Sequence, residues 1–305
     1  MTPLVADLAA LFSVGVLASG VRLAVPVALA AIGEAISQRA GIFNLGIEGM
    51  MMVGAFTGFA VASRSGNEAL GMLAGAGGGA AIAALMVAGS VWRGTNVIVT
   101  GFALVLLGQG LANLFYAQNQ SSLSTFEPLG EVGLGPLSDI PVLGPVLFEQ
   151  NALLYLTAAL AAAVAVLLGR TRFGLEADAC GADPTAATAK GVDVRRTRAL
   201  AVLAAGLCAG LGGAAITVGS VGNFGSNITA GKGFVALALV AVARNRIGWV
   251  LLAAFLFGTL EAAQARLQDV DAIPVELLPS VPWIAVVLAL LGLALAHRAR
   301  LRRSP

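Results

Sequence analysis

GEAISQRAGIFNLGIEGMM, residues 33–51, sets Glu34, Arg39, Asn44 and Glu48 among apolar runs long enough to cross a bilayer. Hydrocarbon offers no hydrogen bonds, so charged and amide side chains at that depth need protein or water partners. The stretch therefore points to a membrane protein with a polar interior.

The rest of the chain agrees with that reading. Hydrophobic residues make up 58% of the 305, charged residues only 11%, and there are 39 glycines, a composition no ordinary soluble core can hide. Glycine at this frequency suits helices that pack with their backbones close together. An all-α polytopic membrane bundle is the expected fold class, organised as a single transmembrane domain over residues 1–305.

Apolar runs place spans at Leu8–Ile36, Phe43–Val61, Ala69–Val91, Val97–Tyr116, Asn151–Gly169, Ala199–Val218, Gly231–Ala243, Ile247–Gln264 and Val281–His297. That is about nine spans, within a range of roughly eight to ten. Gly231–Ala243 is short for a perpendicular crossing, so residues 231–243 are expected to form a broken or re-entrant helix buried by its neighbours. Asp7 stands before the first run where a signal segment would carry basic residues, and the run is kept as a span.

Charge asymmetry orients the bundle. Arg170, Arg172, Lys190, Arg195, Arg196 and Arg198 crowd one connection, Arg244 and Arg246 another, and Arg298, Arg300, Arg302 and Arg303 the C-terminus, while Arg39 and Arg93 fall on the same side. The connection from Asn119 to Pro145 holds Glu127, Glu131 and Asp139 with no lysine or arginine. By the positive-inside rule the basic side and the C-terminus are cytoplasmic and the acidic connection is external, with Arg64 and Arg266 as exceptions. That external connection, rich in glycine and proline, reads as a turn-rich loop or short surface helices, either covering an entrance or merely joining spans.

Several chemistries find no support. Formal charge is only +2, and no basic face is interleaved with aromatics, which gives no nucleic-acid footprint. Cys180 and Cys208 lack neighbours at metal-site spacing and read as structural, and His297 reads as a helix-end residue. Gly225, Gly231 and Lys232 lack P-loop spacing, and Gly210 and Gly212 lie in an apolar run without strand–helix–strand context. Neither a nucleophile triad nor a paired-carboxylate site is evident, so this chain is expected to be no enzyme.

Gly33–Met52, Gly94-Thr95-Asn96, Gly181–Gly191, Gly206–Gly213 and Gly231–Leu239 together resemble the permease subunits of bacterial nucleoside and simple-sugar ABC importers. The likeness runs from about Pro26 to Leu295, and GIFNLGIEGMM favours the nucleoside-type branch over the ribose-like one. The resemblance implies the permease of an ATP-driven importer in a bacterial cytoplasmic (inner) membrane. Its implied partners are a related permease chain (in a heterodimer or homodimer), cytoplasmic ABC ATPase domains and an external substrate-binding lipoprotein, besides membrane lipid. No cofactor is bound by this chain, since ATP and magnesium belong to the partner subunits. The alternatives are a permease for simple sugars such as ribose or galactose and, further off, a proton-coupled secondary transporter drawing on Glu34, Glu48 or Glu261.

Within residues 170–198, Phe173-Gly174-Leu175 followed by Cys180-Gly181-Ala182-Asp183-Pro184 and Ala186-Ala187 resembles the family's cytoplasmic coupling segment. Asp183 is suited to cap a short helix that Pro184 opens, Ala186 and Ala187 permit close packing, and Gly181 and Gly191 can break the flanking backbone. Such a helix either inserts into a groove of the ATPase or simply closes a hairpin. Candidate pathway residues are Asn44 and Glu48, which share a helix face if the helix includes both, Asn96 and Thr100, and the trio Asn223, Phe224 and Asn227. Each has a structural alternative: a polar knot or bent-backbone support for the first pair, a helix cap for the second, loop packing for the third. Glu261 and Gln264 either line the pathway or cap a neighbour.

Overall fold

A computed structural model describes residues 13–133, 135, 138, 140–141, 143–267, 282–288 and 291–292. The first part of the expected first span, about half of the last one and the basic C-terminus lie outside the described residues. From Val14 to Leu267 the described residues form α1 (Val14–Arg39), α2 (Ile47–Ser65), α3 (Glu68–Met86), α4 (Val97–Asn119), α5 (Ala152–Arg170), α6 (Arg172–Ala182), α7 (Pro184–Ala189), α8 (Val194–Ile216), α9 (Lys232–Val242) and α10 (Ile247–Leu267). Residues 282–288 are helical as well. Two antiparallel three-residue strands, β1 (Glu131–Gly133) and β2 (Glu149–Asn151), pair Val132 with Gln150 in the acidic connection.

Among the described residues six helices are long and apolar enough to cross a membrane: Val14–Arg39, Glu68–Trp92, Val97–Ser122, Ala152–Arg170, Val194–Val221 and Ile247–Arg266. The chain is a polytopic α-helical membrane protein. Helix α2, with Glu48 and Arg64 in it, is not among the six. Its first two-thirds are walled in by α3, α4, α8 and α9, so it needs little lipid-facing hydrophobicity.

Glycine sets how closely these helices approach. A Cβ added at Gly79 would strike the Gly206 carbonyl, one at Gly75 would meet the Ala214 Cβ, and one at Gly71 would lie 3.3 Å from Val218 Cγ2. Helices α3 and α8 therefore run antiparallel with their backbones in contact. A Cβ at Gly108 would fall 2.6 Å from the Gly49 carbonyl oxygen, which closes α4 onto α2. Without a hydrophobic effect between helices in lipid, such close approach supplies the dispersion contact that holds them together. The α3–α8 register also puts Arg93 at the end of the bundle that carries Arg195, Arg196 and Arg198.

Local chemistry fixes the boundaries. The Asn67 side chain accepts from Leu70 N and starts α3 one residue after Gly66, whose φ of +62° ends α2. Asp193 caps α8 through Arg196 N, so that helix begins at Val194, before the expected Ala199, and takes the arginine cluster into its first turn. The expected start of α2 at Phe43 moves to Ile47 because residues 41–46 are non-helical: Gly41 has φ +80°, and the Asn44 side chain accepts from Gly46 N. Asn44 and Glu48 accordingly do not share a helix face.

Candidate translocation and coupling sites

Two buried polar knots interrupt the apolar bundle. In the first, Glu34 Oε1 accepts from Gln38 Nε2 at 3.1 Å and from Asn44 N at 3.2 Å, while Gln38 Nε2 also reaches Leu237 O of α9 at 3.3 Å. Asn44 turns its Nδ2 toward Met50 Sδ, 3.4 Å away. These bonds tie the end of α1 to the non-helical segment and to α9.

The second knot centres on Glu48 in the first turn of α2. Its carboxylate accepts from Thr229 Oγ1 at 2.5 Å, Gly231 N at 2.9 Å and Gly233 N at 2.7 Å, and the side chain is wholly buried. The start of α9 lacks a side-chain cap of its own, and Gly231 takes φ +82° there. Glu48 thus caps an 11-residue internal helix from another element, satisfying amides that have no intrahelical partner and meeting the positive end of the helix dipole. Lys232, unfavourably placed at that same end, pairs with Glu261 of α10. Asn227 and Ala230, at φ 61° and 45°, occupy backbone conformations that side chains resist, held by this turn. The short helix expected at 231–243 is present, at Lys232–Val242.

The remaining candidates stand apart from these knots. Asn96 caps α4, accepting from Ile98 N at 2.9 Å and Val99 N at 3.2 Å, and Thr100 bonds to Thr95 at 2.7 Å, all on an exposed end. Asn223 accepts from Phe224 N at 2.7 Å. The Phe224 ring is 2% exposed within a cluster of Phe56, Phe59, Tyr116 and Phe126, with centroids 5.6 Å from Phe56 and 4.9 Å from Tyr116. Phe56 and Phe115, which sequence reasoning did not single out, lie nearer the surface. Their i, i+3, i+4 company on α2 and α4 reads as ordinary lipid-facing helix, and nothing in the linear pattern marks a cleft.

At the opposite end lies the hairpin of α6 and α7. Asp183 Oδ1 accepts from Thr185 N at 2.8 Å and Ala186 N at 3.1 Å, and Pro184 opens α7, as the sequence suggested. Ala187 is buried, whereas Thr185, Ala186, Thr188 and Ala189 are exposed. Gly191 has φ +86°, but Gly181 does not break the backbone: it lies inside α6, where an added Cβ would strike the Arg39 carbonyl. Arg39 donates to Leu168 O at 3.1 Å and sits 3.5 Å from Asp178, while Arg198 donates to Ala40 O at 3.0 Å and Cys180 O at 3.2 Å. The hairpin is thereby fastened to α1 through the Asp178 carboxylate and to α8 through the Cys180 carbonyl, while the same two arginines tie α1 to α5 and α8 to the end of α1, bonds strengthened by their charged donors. Burial pushes the Cys180 thiol above its ordinary pKa, so it stays protonated and inert.

A multi-span bundle with an internally capped half-helix and a wired hairpin at its basic end is the architecture of a transport protein. Residues 16–296 match the family described as branched-chain amino acid transport system / permease component, and the chain belongs to it. The chain is 37% identical over 90% of its length, and 84% of the other's, to TsgC13 of Haloferax volcanii, provisionally named a glucose ABC transporter permease protein. It is 35% identical to the nucleoside ABC transporter permease protein NupC of Lactococcus lactis, covering 90% of this chain and 91% of the relative. A third relative, the guanosine ABC transporter permease protein NupQ of Bacillus subtilis, is 32% identical with 88% of both chains covered. No solved structure matches significantly. The chain is an ABC-importer permease subunit of the sugar/nucleoside branch, a non-catalytic component rather than an ATPase.

Proposed function

We propose that this permease carries a simple sugar inward in an ATP-driven importer, with a nucleoside as the second reading. Similarity to TsgC13 supports the sugar, and the nearly equal similarity to NupC and NupQ supports the nucleoside, so the preference for nucleosides drawn from GIFNLGIEGMM does not stand over the sugar. Family membership implies ATPase and substrate-binding components as partners. The basic end faces the cytoplasm by the positive-inside rule, and the acidic connection faces a binding protein outside.

The observation that carries the mechanism is the fastening of α6 to α1 by the Arg39–Asp178 ion pair and to α8 by the Arg198 bond to Cys180 O, with Arg39 also joined to α5 and Arg198 to the end of α1. Helix α7 seats the exposed face of Thr185, Ala186 and Thr188 in a groove of the ATPase, and Gly181, Asp183, Pro184 and Ala187 hold that face in shape. Closure of the ATPases moves the hairpin, and the two arginines pass the motion to three membrane helices. At the hairpin end of the bundle, where α1 ends and α2 begins, Asn44 and Glu48 steady α9 against the motion, while Asn96, Thr100, Asn223, Phe224 and Asn227 border the route. A related permease chain completes that route.

The test is competition for uptake in proteoliposomes that contain the complete complex. Labelled glucose accumulation suppressed by unlabelled glucose, and by neither guanosine nor leucine, supports the sugar. Accumulation of labelled guanosine and not of glucose moves the assignment to nucleosides, and accumulation of labelled leucine alone removes both.

A further inference from the structure

The close contact of α2 and α4 at Gly49 and Gly108 is not maintained along their length. Farther on, toward Arg64 and Asn119, bulky side chains take the place of glycine and the two helices enclose a cleft of about 360 Å³, lined by Phe56, Thr57, Arg64, Phe115 and Asn119 among others. That volume lies in the range of small-molecule sites. The Phe56 and Phe115 rings stack at 6.3 Å and 17°, and Phe115 is 45% exposed. Behind them, Phe224 meets Phe56 edge-on at 5.6 Å, which gives the aromatic wall a rigid backing.

The rim is polar. Arg64 donates to Asn119 Oδ1 at 2.8 Å and to Ser122 Oγ at 3.5 Å from a single terminal nitrogen, leaving other guanidinium N–H groups for a ligand. Thr57 also lines the cleft, with its hydroxyl turned to the Ala74 carbonyl of α3. An acyl chain would use the aromatic wall and leave the arginine idle. An oxygenated ring uses both: its apolar face lies on the phenyl rings, and its oxygens accept from Arg64.

We infer that the cleft between α2 and α4 is an entry site for the transported ring, a pyranose or a nucleoside, with Phe56 and Phe115 as its stacking wall and Arg64 as its polar anchor. The inference rests on the sugar/nucleoside reading above. It also accounts for the position of the cleft, at the end of the bundle that faces the acidic connection, where the Arg64 and Ser63 side chains bond to residues 119, 122 and 124.

Because Cys180 and Cys208 are both buried, a cysteine placed in the cleft can be read against a quiet background. Phe115→Cys and Leu111→Cys, the second keeping both rings, are introduced into the complete importer in proteoliposomes. Each is treated with a charged, membrane-impermeant maleimide and quantified by peptide mass spectrometry, with Glu127→Cys, exposed in the acidic connection, as control. Both cleft cysteines should label, and glucose or guanosine, whichever the vesicles accumulate, should slow labelling about threefold at a concentration near twice its Kd, with no effect at position 127. Cleft cysteines that resist the charged reagent would show that lipid or a neighbouring subunit covers the cleft and would overturn the site. So would labelling at unchanged rate in the presence of a solute the same vesicles transport. Vesicles that accumulate neither solute remove the transport reading, and this site with it.

Discussion

Glu48 is the residue on which the interior of this permease turns. Its two oxygens meet the Gly231 and Gly233 amides and the Thr229 hydroxyl, so Glu48→Gln, which places an NH₂ against donors, is expected to cost about 1–3 kcal/mol. A double-mutant cycle with Thr229→Val, followed by thermal unfolding in detergent, should give strongly non-additive shifts, whereas additive shifts would mean that the two side chains act independently. The sequence showed that Glu48 needed a partner at membrane depth, but not which one, because Thr229 and Gly231 lie far along the chain and their turn uses backbone amides that no motif encodes. Phe224 reads from the sequence as a candidate aromatic of the route; its burial behind Phe56 depends on packing between α2 and α4 that has no linear signal. For Cys180, burial raises the folded-state pKa above the ordinary thiol value of 9.0. The neutral thiol therefore contributes fully to stability below that value, and the contribution fades as pH rises past it through the folded pKa. Native protein at neutral pH should show no alkylation of Cys180 by a small maleimide within the time that urea-unfolded protein labels completely; rapid native labelling would place that helix face in water.

Among the elements, α7 and the α3–α8 pair carry separable predictions. Ala187 faces its own bundle and Ala186 faces away, although the sequence treats the two as equivalent small residues. Ala187→Trp should overpack the hairpin and lower thermal stability by about 1–3 kcal/mol. Ala186→Trp should leave stability within about 0.5 kcal/mol while reducing ATP-driven uptake, so wild-type uptake by a correctly inserted Ala186→Trp protein would count against docking of this face. Asp183→Ala removes both cap bonds and should cost about 1 kcal/mol locally, read as faster amide exchange over residues 184–189. This cap was legible in advance because Asp-Pro at a helix start is a local pattern. The close approach of α3 and α8 was only half legible: the glycines of Gly206–Gly213 announced tight packing, but the register against Gly71, Gly75 and Gly79 required three dimensions. Gly210→Leu would drive a side chain into the α3 backbone and should abolish a stable monodisperse protein in size-exclusion chromatography.

Taken whole, the molecule separates charge between its ends. Arg39, Arg93, Arg170, Arg195, Arg196 and Arg198 converge at the end that holds α6 and α7, and the opposite end holds the paired strands of the acidic connection together with Arg64. This polarity was legible in advance, since the charge of each connection is a property of the linear chain, and the membrane fold was legible from the long apolar runs between those connections. The substrate was not legible, because similarity to glucose and nucleoside permeases differs by only a few per cent of identity and the side chains that meet solute come from separate helices. The central claim is that this chain moves solute only when ATPase subunits drive its hairpin. Uptake of labelled glucose and guanosine into proteoliposomes holding the complete complex, with ATP present or absent and with or without an imposed pH gradient, tests it most directly. Accumulation that requires ATP and ignores the pH gradient is the predicted result; accumulation without ATP that follows the gradient would contradict the account and make the chain a secondary transporter.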